Sequence, residues 1–163
     1  MATAYVALGA NLGDPRAQLL AAFDALAALQ DTRLQARSRL YLTPPWGLRE
    51  QPPFVNAVAQ LDTGLGPDEL LQGLLDIERA AGRERNGERW GPRRLDLDLL
   101  LHGDTVRDDA RLTLPHPRMA ERAFVLLPLA ELAPQLDIPG HGRIAELLLR
   151  ADTADCRVLA PAG

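Results

Sequence analysis

The chain has 163 residues, 47% of them apolar, enough for one domain with a real hydrophobic core. Its 18 basic residues are all arginine, which excludes a Walker-type phosphate loop and a Schiff-base mechanism, since both need lysine. The net charge of −4 argues against wholesale nucleic-acid binding, and the single cysteine, Cys156, excludes an internal disulfide and argues against a Cys-based zinc site.

The first residues, M-A-T-A-Y-V-A-L-G, carry no basic stretch. No window approaches the roughly 18 uninterrupted apolar residues of a membrane span. The expectation is a soluble cytoplasmic protein with no membrane partner. Ala4–Leu8 is a short apolar run ending at Gly9 and predicts a buried strand. The loop G-A-N-L-G-D-P follows. Asp14 is placed to cap a helix with Pro15 in its first turn, and Leu19, Ala22, Phe23 and Leu26 keep helical spacing to about Leu29. Leu34–Leu42 predicts a second strand. T-P-P-W-G is a stiff loop, because proline fixes its own φ. Phe54–Leu61 alternates as a third strand. Pro67 opens a second helix with Leu70, Leu71, Leu74 and Ile77 inward and Gly82 as its stop.

The segment R-E-R-N-G-E-R-W-G-P-R-R-L-D-L-D-L-L-L follows, from Arg83 to Leu101. Five arginines and a tryptophan crowd a loop with Gly and Pro. Few aliphatic anchors and a net positive charge predict that this loop moves and closes on phosphate. A fourth strand succeeds it. Leu95, Leu97, Leu99 and Leu101 form one face, and Asp96, Asp98 and Leu100 the other. The two carboxylates then leave the backbone roughly 7 Å apart on one side. Carboxylates hold hard cations through oxygen, and guanidinium groups clamp phosphate oxygens two at a time. This pairing points to a phosphate chain carrying magnesium. A solvated polar face on an edge strand is the competing interpretation. After a turn near Gly103, L-T-L-P-H-P is extended, Met119–Leu132 is mainly helical, I-P-G-H-G is a turn, and Arg143–Leu149 is a short helix. C-R-V-L resembles a strand, with Cys156 expected as a buried, inert thiol. The order β-α-β-β-α-β predicts an α+β, ferredoxin-like antiparallel sheet with helices packed on one face and a helical C-terminal extension. Residues 1–163 are expected to form a single domain.

These residues also carry a resemblance. The strings Y-V-A-L-G-A-N-L-G-D, Y-L-T-P-P-W-G, Q-P-P-F-V-N-A-V, I-E-R-A-A-G-R, R-W-G-P-R-R-L-D-L-D-L-L-L, L-T-L-P-H-P-R-M and R-A-F-V-L-L-P-L-A-E-L-A-P occur in order between about Tyr5 and Pro134. The chain resembles the 6-hydroxymethyl-7,8-dihydropterin pyrophosphokinase family. The resemblance implies transfer of the β,γ-diphosphate of ATP to the hydroxymethyl oxygen of the pterin, with release of AMP, in folate biosynthesis. It implies Asp96 and Asp98 as ligands of two Mg2+ ions, and Arg83 and Arg93 as arginines that close on the phosphates. Glu78, Arg85, Trp90, Arg111, Thr113, His116 and Arg122 match nucleotide-side positions. Phe54 and Phe124 match a pair that sandwiches the pterin ring, Asn56 and Thr43 its hydrogen-bonding partners, and Pro45, Trp46 and Gly47 a loop over one end of the ring. Leu75 and Pro117 stand where some members carry other residues.

From the residues alone, several of these positions keep a second interpretation. Phe54 and Phe124 are equally core residues, His116 a turn residue, and Trp90 a side chain packed under its own loop. Asn56 speaks more directly, since an amide within the apolar string F-V-N-A-V must find partners. An RNA-binding module of the same fold needs exposed stacking aromatics on its strands, and here the strands are mostly aliphatic. A catalytically dead scaffold is a third alternative, opposed by the intact Asp96, Asp98, Arg83 and Arg93. The expected partners are ATP and the pterin, with no nucleic acid, on a monomer.

Overall fold

The computed structural model describes residues 1–44, 52–82 and 95–159. Pro45, Trp46, Gly47, Arg83, Arg85, Trp90 and Arg93, and with them the arginine loop and all of the T-P-P-W-G loop beyond Pro44, lie outside the described residues.

The chain opens with strand β1 (Ala2–Ala10) and helix α1 (Pro15–Ala27). The Asp14 carboxylate accepts the Ala17 amide at 3.1 Å and Pro15 takes the first turn, so the cap expected from the sequence forms. Leu19, Ala22, Phe23 and Leu26 are the buried face of α1. The expected second strand is divided into β2 (Thr32–Arg37) and β3 (Tyr41–Thr43). At the break, Ser38 keeps contact with the sheet: its amide donates to Val58 O and its hydroxyl accepts the Val58 amide, each at 2.9 Å. Strand β4 (Phe54–Thr63) pairs with both pieces. Helix α2 (Pro67–Ala80) buries Leu70, Leu74 and Glu78 and stops before Gly82, whose φ of 85° suits glycine. Strand β5 (Asp96–His102) completes the sheet core.

A short hairpin follows, β6 (Arg107–Asp108) with β7 (Thr113–Leu114). A 3-10 turn over Met119–Glu121 precedes helix α3 (Ala123–Leu132). The hairpin β8 (Asp137–Ile138) and β9 (Gly142–Arg143), helix α4 (Ile144–Arg150) and strand β10 (Arg157–Val158) end the described chain. Cys156 is half-buried beside β10 rather than fully enclosed, and that burial pushes its thiol pKa up.

The main sheet runs β10-β3-β4-β1-β5, with β2 also against β4, and every pairing is antiparallel. The class is therefore mixed α and β around an antiparallel sheet. The helices cover both faces, which corrects the expectation of one. On one side Leu19, Phe23, Leu26, Leu70 and Leu74 pack against Val6, Leu8, Leu97 and Leu99. On the other, Val125, Leu126, Leu129, Ile144 and Leu147 pack against Tyr5, Val58 and Leu101. A bulge between Tyr5 and Val6 explains part of this arrangement. It places one extra residue, Leu100, in β5, so Leu101 crosses to the face expected to be polar, while Leu95, Leu97 and Leu99 stay together as expected. That second face needs apolar cover, and α3 and α4 supply it.

Candidate active site

Strand alternation puts Asp96 and Asp98 on the face of the sheet that α3 covers only in part. Gly9 of β1 pairs with Asp96 on one side and Asn56 on the other; Ala7 likewise stands between Asp98 and Val58. Two rows of side chains thus cross β5, β1 and β4. Between the aspartates, Leu97 turns to the opposite face and is buried. Its amide donates to the Glu78 carboxylate at 2.7 Å.

At the β4 end, Thr43 and Asn56 are buried, and the Thr43 hydroxyl donates to Asn56 Oδ1 at 2.6 Å. That bond orients the amide. Phe54 lies two residues away on the same face of β4, opposite Thr43. Phe124 projects from the first turn of α3. The chain is extended at Arg122 (φ −110°, ψ 105°), which separates the 3-10 turn from α3 and brings Arg118, Glu121, Arg122 and Phe124 to the sheet. The Arg122 guanidinium stands 5.6 Å from the Phe124 ring centroid, within cation–π range.

These groups line one cleft of about 270 Å³, together with Ala7, Leu8, Gly9 and Val125. It is apolar at the phenylalanine end and acidic at the aspartate end. Of the expected residues it brings together Thr43, Phe54, Asn56, Asp96, Asp98, Arg122 and Phe124. Phe54 and Phe124 are half-exposed at the cleft, whereas Phe23 is the phenylalanine enclosed in the core.

His116 lies near Asp98 and is half-buried. Burial, the largest effect, lowers its pKa below the usual histidine value; Asp98 opposes this, and Arg122 and Arg118 add to it. The ring is therefore neutral at pH 7. Its Nδ1 accepts the Arg118 amide at 3.2 Å, which leaves the proton on Nε2.

Among the described residues, four expected nucleotide-side residues do not line the cleft: His116, Arg111, Thr113 and Glu78. Arg111 and Thr113 belong to the β6–β7 hairpin, where Arg111 pairs with Asp68 at 3.2 Å and Arg107 bridges Asp68 and Asp109. The Glu78 carboxylate is in the core, 4% exposed, against the backbone of β5. Conversely, the cleft includes Gly9, Arg118 and Glu121, which the sequence reading did not single out. The signal for Gly9 was the small-residue string following a strand; Arg118 and Glu121 looked like ordinary polar residues of a helix start.

The donor set suits magnesium. Two hard carboxylates share one wall of the cleft, and magnesium commonly takes one or two carboxylates and completes its shell with water and substrate phosphate. Among the described residues no group of three or more His, Cys, Asp and Glu side chains could hold a metal, so Asp96 and Asp98 would hold magnesium as a carboxylate pair.

Residues 5–134 match the family model for 7,8-dihydro-6-hydroxymethylpterin-pyrophosphokinase (HPPK). The chain belongs to this family. This pyrophosphokinase-family chain is 54% identical over 144 residues to the 2-amino-4-hydroxy-6-hydroxymethyldihydropteridine pyrophosphokinase of Pseudomonas aeruginosa, with 88% of each covered. It is 47% identical over 148 residues to the enzyme of the same name from Haemophilus influenzae, covering 91% of this chain and 92% of that one. Among solved structures it resembles the wild-type HPPK-DHPS of Plasmodium falciparum with pteroate, at a TM-score of 0.72 and 14% identity. That match covers 91% of this chain but 42% of the longer one, and at such identity it speaks for the fold alone. As in its pyrophosphokinase relatives, the activity of this chain is ATP-dependent transfer of diphosphate to hydroxymethyldihydropterin.

Proposed function

We propose that the cleft is where this transfer occurs, with the pterin at the phenylalanine end and the phosphates at the aspartate end. The observation that carries the assignment is the continuity of one cleft from Phe54, Asn56 and Phe124 to Asp96 and Asp98. Phe54 and Phe124 hold the ring by stacking, and Asn56, oriented by Thr43, matches its amide-like edge. Pro45, Trp46 and Gly47 cover one end of the ring. Arg122 and neutral His116 serve the nucleotide, with Arg85, Trp90, Arg111 and Thr113 as further nucleotide-side residues, whereas Glu78, buried against Leu97, acts on that side through the backbone of β5. Arg83 and Arg93 clamp the phosphates.

In the reaction the hydroxymethyl oxygen bonds to the β-phosphorus. The bond from that phosphorus to the oxygen bridging it to the α-phosphate breaks, AMP leaves with that oxygen, and the hydroxyl proton is released. Magnesium, two ions in this proposal, offsets charge on the phosphate chain when bound by Asp96 and Asp98. Phosphate transfers of this kind depend on positioning and on charge neutralisation, and the cleft offers both.

The strand order, read as β5-β1-β4 and then β3 with β2, fits the ferredoxin-like βαββαβ arrangement, with α3 and α4 as additions on the second face. We further assign residues 1–163 to one domain acting as a cytoplasmic monomer, with no nucleic-acid or membrane partner. No helix among the described residues is long and apolar enough to cross a membrane. Phosphorus NMR on purified protein with Mg-ATP and 6-hydroxymethyl-7,8-dihydropterin tests the function. AMP and the pterin diphosphate should form in equal amounts. Release of ADP or inorganic phosphate, or no consumption of ATP, would refute it.

A further inference from the structure

On the cleft face of β1 the side chains diminish in order: Tyr5, Ala7, Gly9. Tyr5 is 7% exposed and belongs to the core under α3, whereas Ala7 and Gly9 line the cleft. At Gly9 the central strand offers bare backbone between Asn56 and Asp96, its partners on either side. Those two side chains are separated by two inter-strand steps, about 10 Å in all. A Cβ at Gly9 would lie 2.8 Å from Asn56 Nδ2, closer than real Cβ contacts come. The Asn56 amide cannot turn away freely, because its Oδ1 is held by the Thr43 hydroxyl at 2.6 Å.

We infer that Gly9 is a specificity-determining residue of this cleft, forming the floor beneath the junction between the pterin's hydroxymethyl group and the transferred phosphorus. The inference rests on the assignment of the pterin and phosphate ends made above. A substrate anchored on Asn56 that presents its oxygen to phosphates at Asp96 must pass over Gly9, since the three residues form one row. The missing side chain does two things. It leaves room for a flat bicyclic acceptor with a short arm to lie against the backbone, and it leaves the Asn56 amide where Thr43 sets it. A single methyl at this position would remove both. The selection is therefore for planar heteroaromatic acceptors.

Two measurements test this. In Gly9→Ala, turnover of the pterin should fall by about 100-fold, the size expected when a reacting group is displaced by about 1 Å. Affinity for a non-hydrolysable ATP analogue with magnesium should stay within about threefold, since the change meets Asn56 and leaves the aspartates in place. Pterin turnover within about threefold of the parent, or equal loss of both ligands in a folded variant, would overturn the inference. If Gly9→Ala does not fold, the unmodified protein decides. With pterin and the ATP analogue bound, a nuclear Overhauser contact should connect the Gly9 α-protons to the hydroxymethyl methylene. Bound pterin without that contact overturns the role of Gly9 alone. Failure of the unmodified protein to bind pterin overturns the pterin assignment itself, and this inference with it.

Discussion

Glu78 on α2 accepts the backbone amide of Leu97 at 2.7 Å, and Leu97 stands between Asp96 and Asp98. A buried carboxylate thus holds the strand that presents the two acidic groups to the cleft. Removing it in Glu78→Ala leaves a buried amide without this acceptor, which costs about 1–3 kcal/mol. Glu78→Ala should lower the unfolding free energy by that amount and reduce turnover, whereas Glu78→Gln, which keeps an acceptor, should retain more of both. Denaturant unfolding together with steady-state kinetics measures this. A Glu78→Ala variant as stable as the parent would show that the bond contributes nothing.

Glu131 ties α3 to the strand edge. Its carboxylate accepts from the Arg39 backbone amide at 3.0 Å, Arg39 Nε at 3.2 Å and the Tyr41 hydroxyl at 2.8 Å. Burial, and then the Glu131 carboxylate, push the Tyr41 pKa from 10.0 up to about 12. A raised pKa favours the protonated form in the folded state. Its stabilising contribution is full below pH 10 and is lost as pH rises toward 12. Thermal unfolding between these values should show a decline in stability that Tyr41→Phe lacks. The same slope in both proteins would remove Tyr41 as its source.

Much of this arrangement was legible in the residues, and the exceptions have physical causes. The cap at Asp14, the buried stripe of α1 and the common face of Asp96 and Asp98 on β5 are legible because each depends on local spacing. Asn56 was readable because an amide in an apolar strand needs a partner, and Thr43 is that partner. The bulge opposite Leu100 was not readable, since alternation alone carries no record of an inserted residue. The second helical layer was missed for a related reason: the string A-F-V-L-L-P-L-A marks a buried helix without saying which side of the sheet it covers. Gly9 is marked in the sequence only as a small residue at the end of an apolar run, which does not say that its missing side chain opens a cleft. Arg118 and Glu121 line the cleft from the turn before α3, a placement that their polar character alone does not announce.

Asp98 faces the cleft from β5, opposite Ala7, and is half-exposed. Asp98→Ala should leave the fold intact, because no core contact is lost. Turnover should fall by several orders of magnitude, since losing metal-borne charge stabilisation costs roughly several kcal/mol of barrier. Circular dichroism and AMP release measure the two halves of this expectation. Turnover within about threefold of the parent would remove Asp98 from the reaction.

The division of the cleft into a pterin end and a phosphate end is tested most directly by pterin calorimetry on Phe124→Ala and Asp98→Ala, both saturated with magnesium and a non-hydrolysable ATP analogue. Stacking on an aromatic ring contributes about 1–3 kcal/mol, so pterin affinity should fall by about fivefold to 150-fold in Phe124→Ala. In Asp98→Ala it should stay within about threefold of the parent. Unchanged pterin affinity in Phe124→Ala, or an equal loss in both variants, would contradict a cleft with two distinct ends.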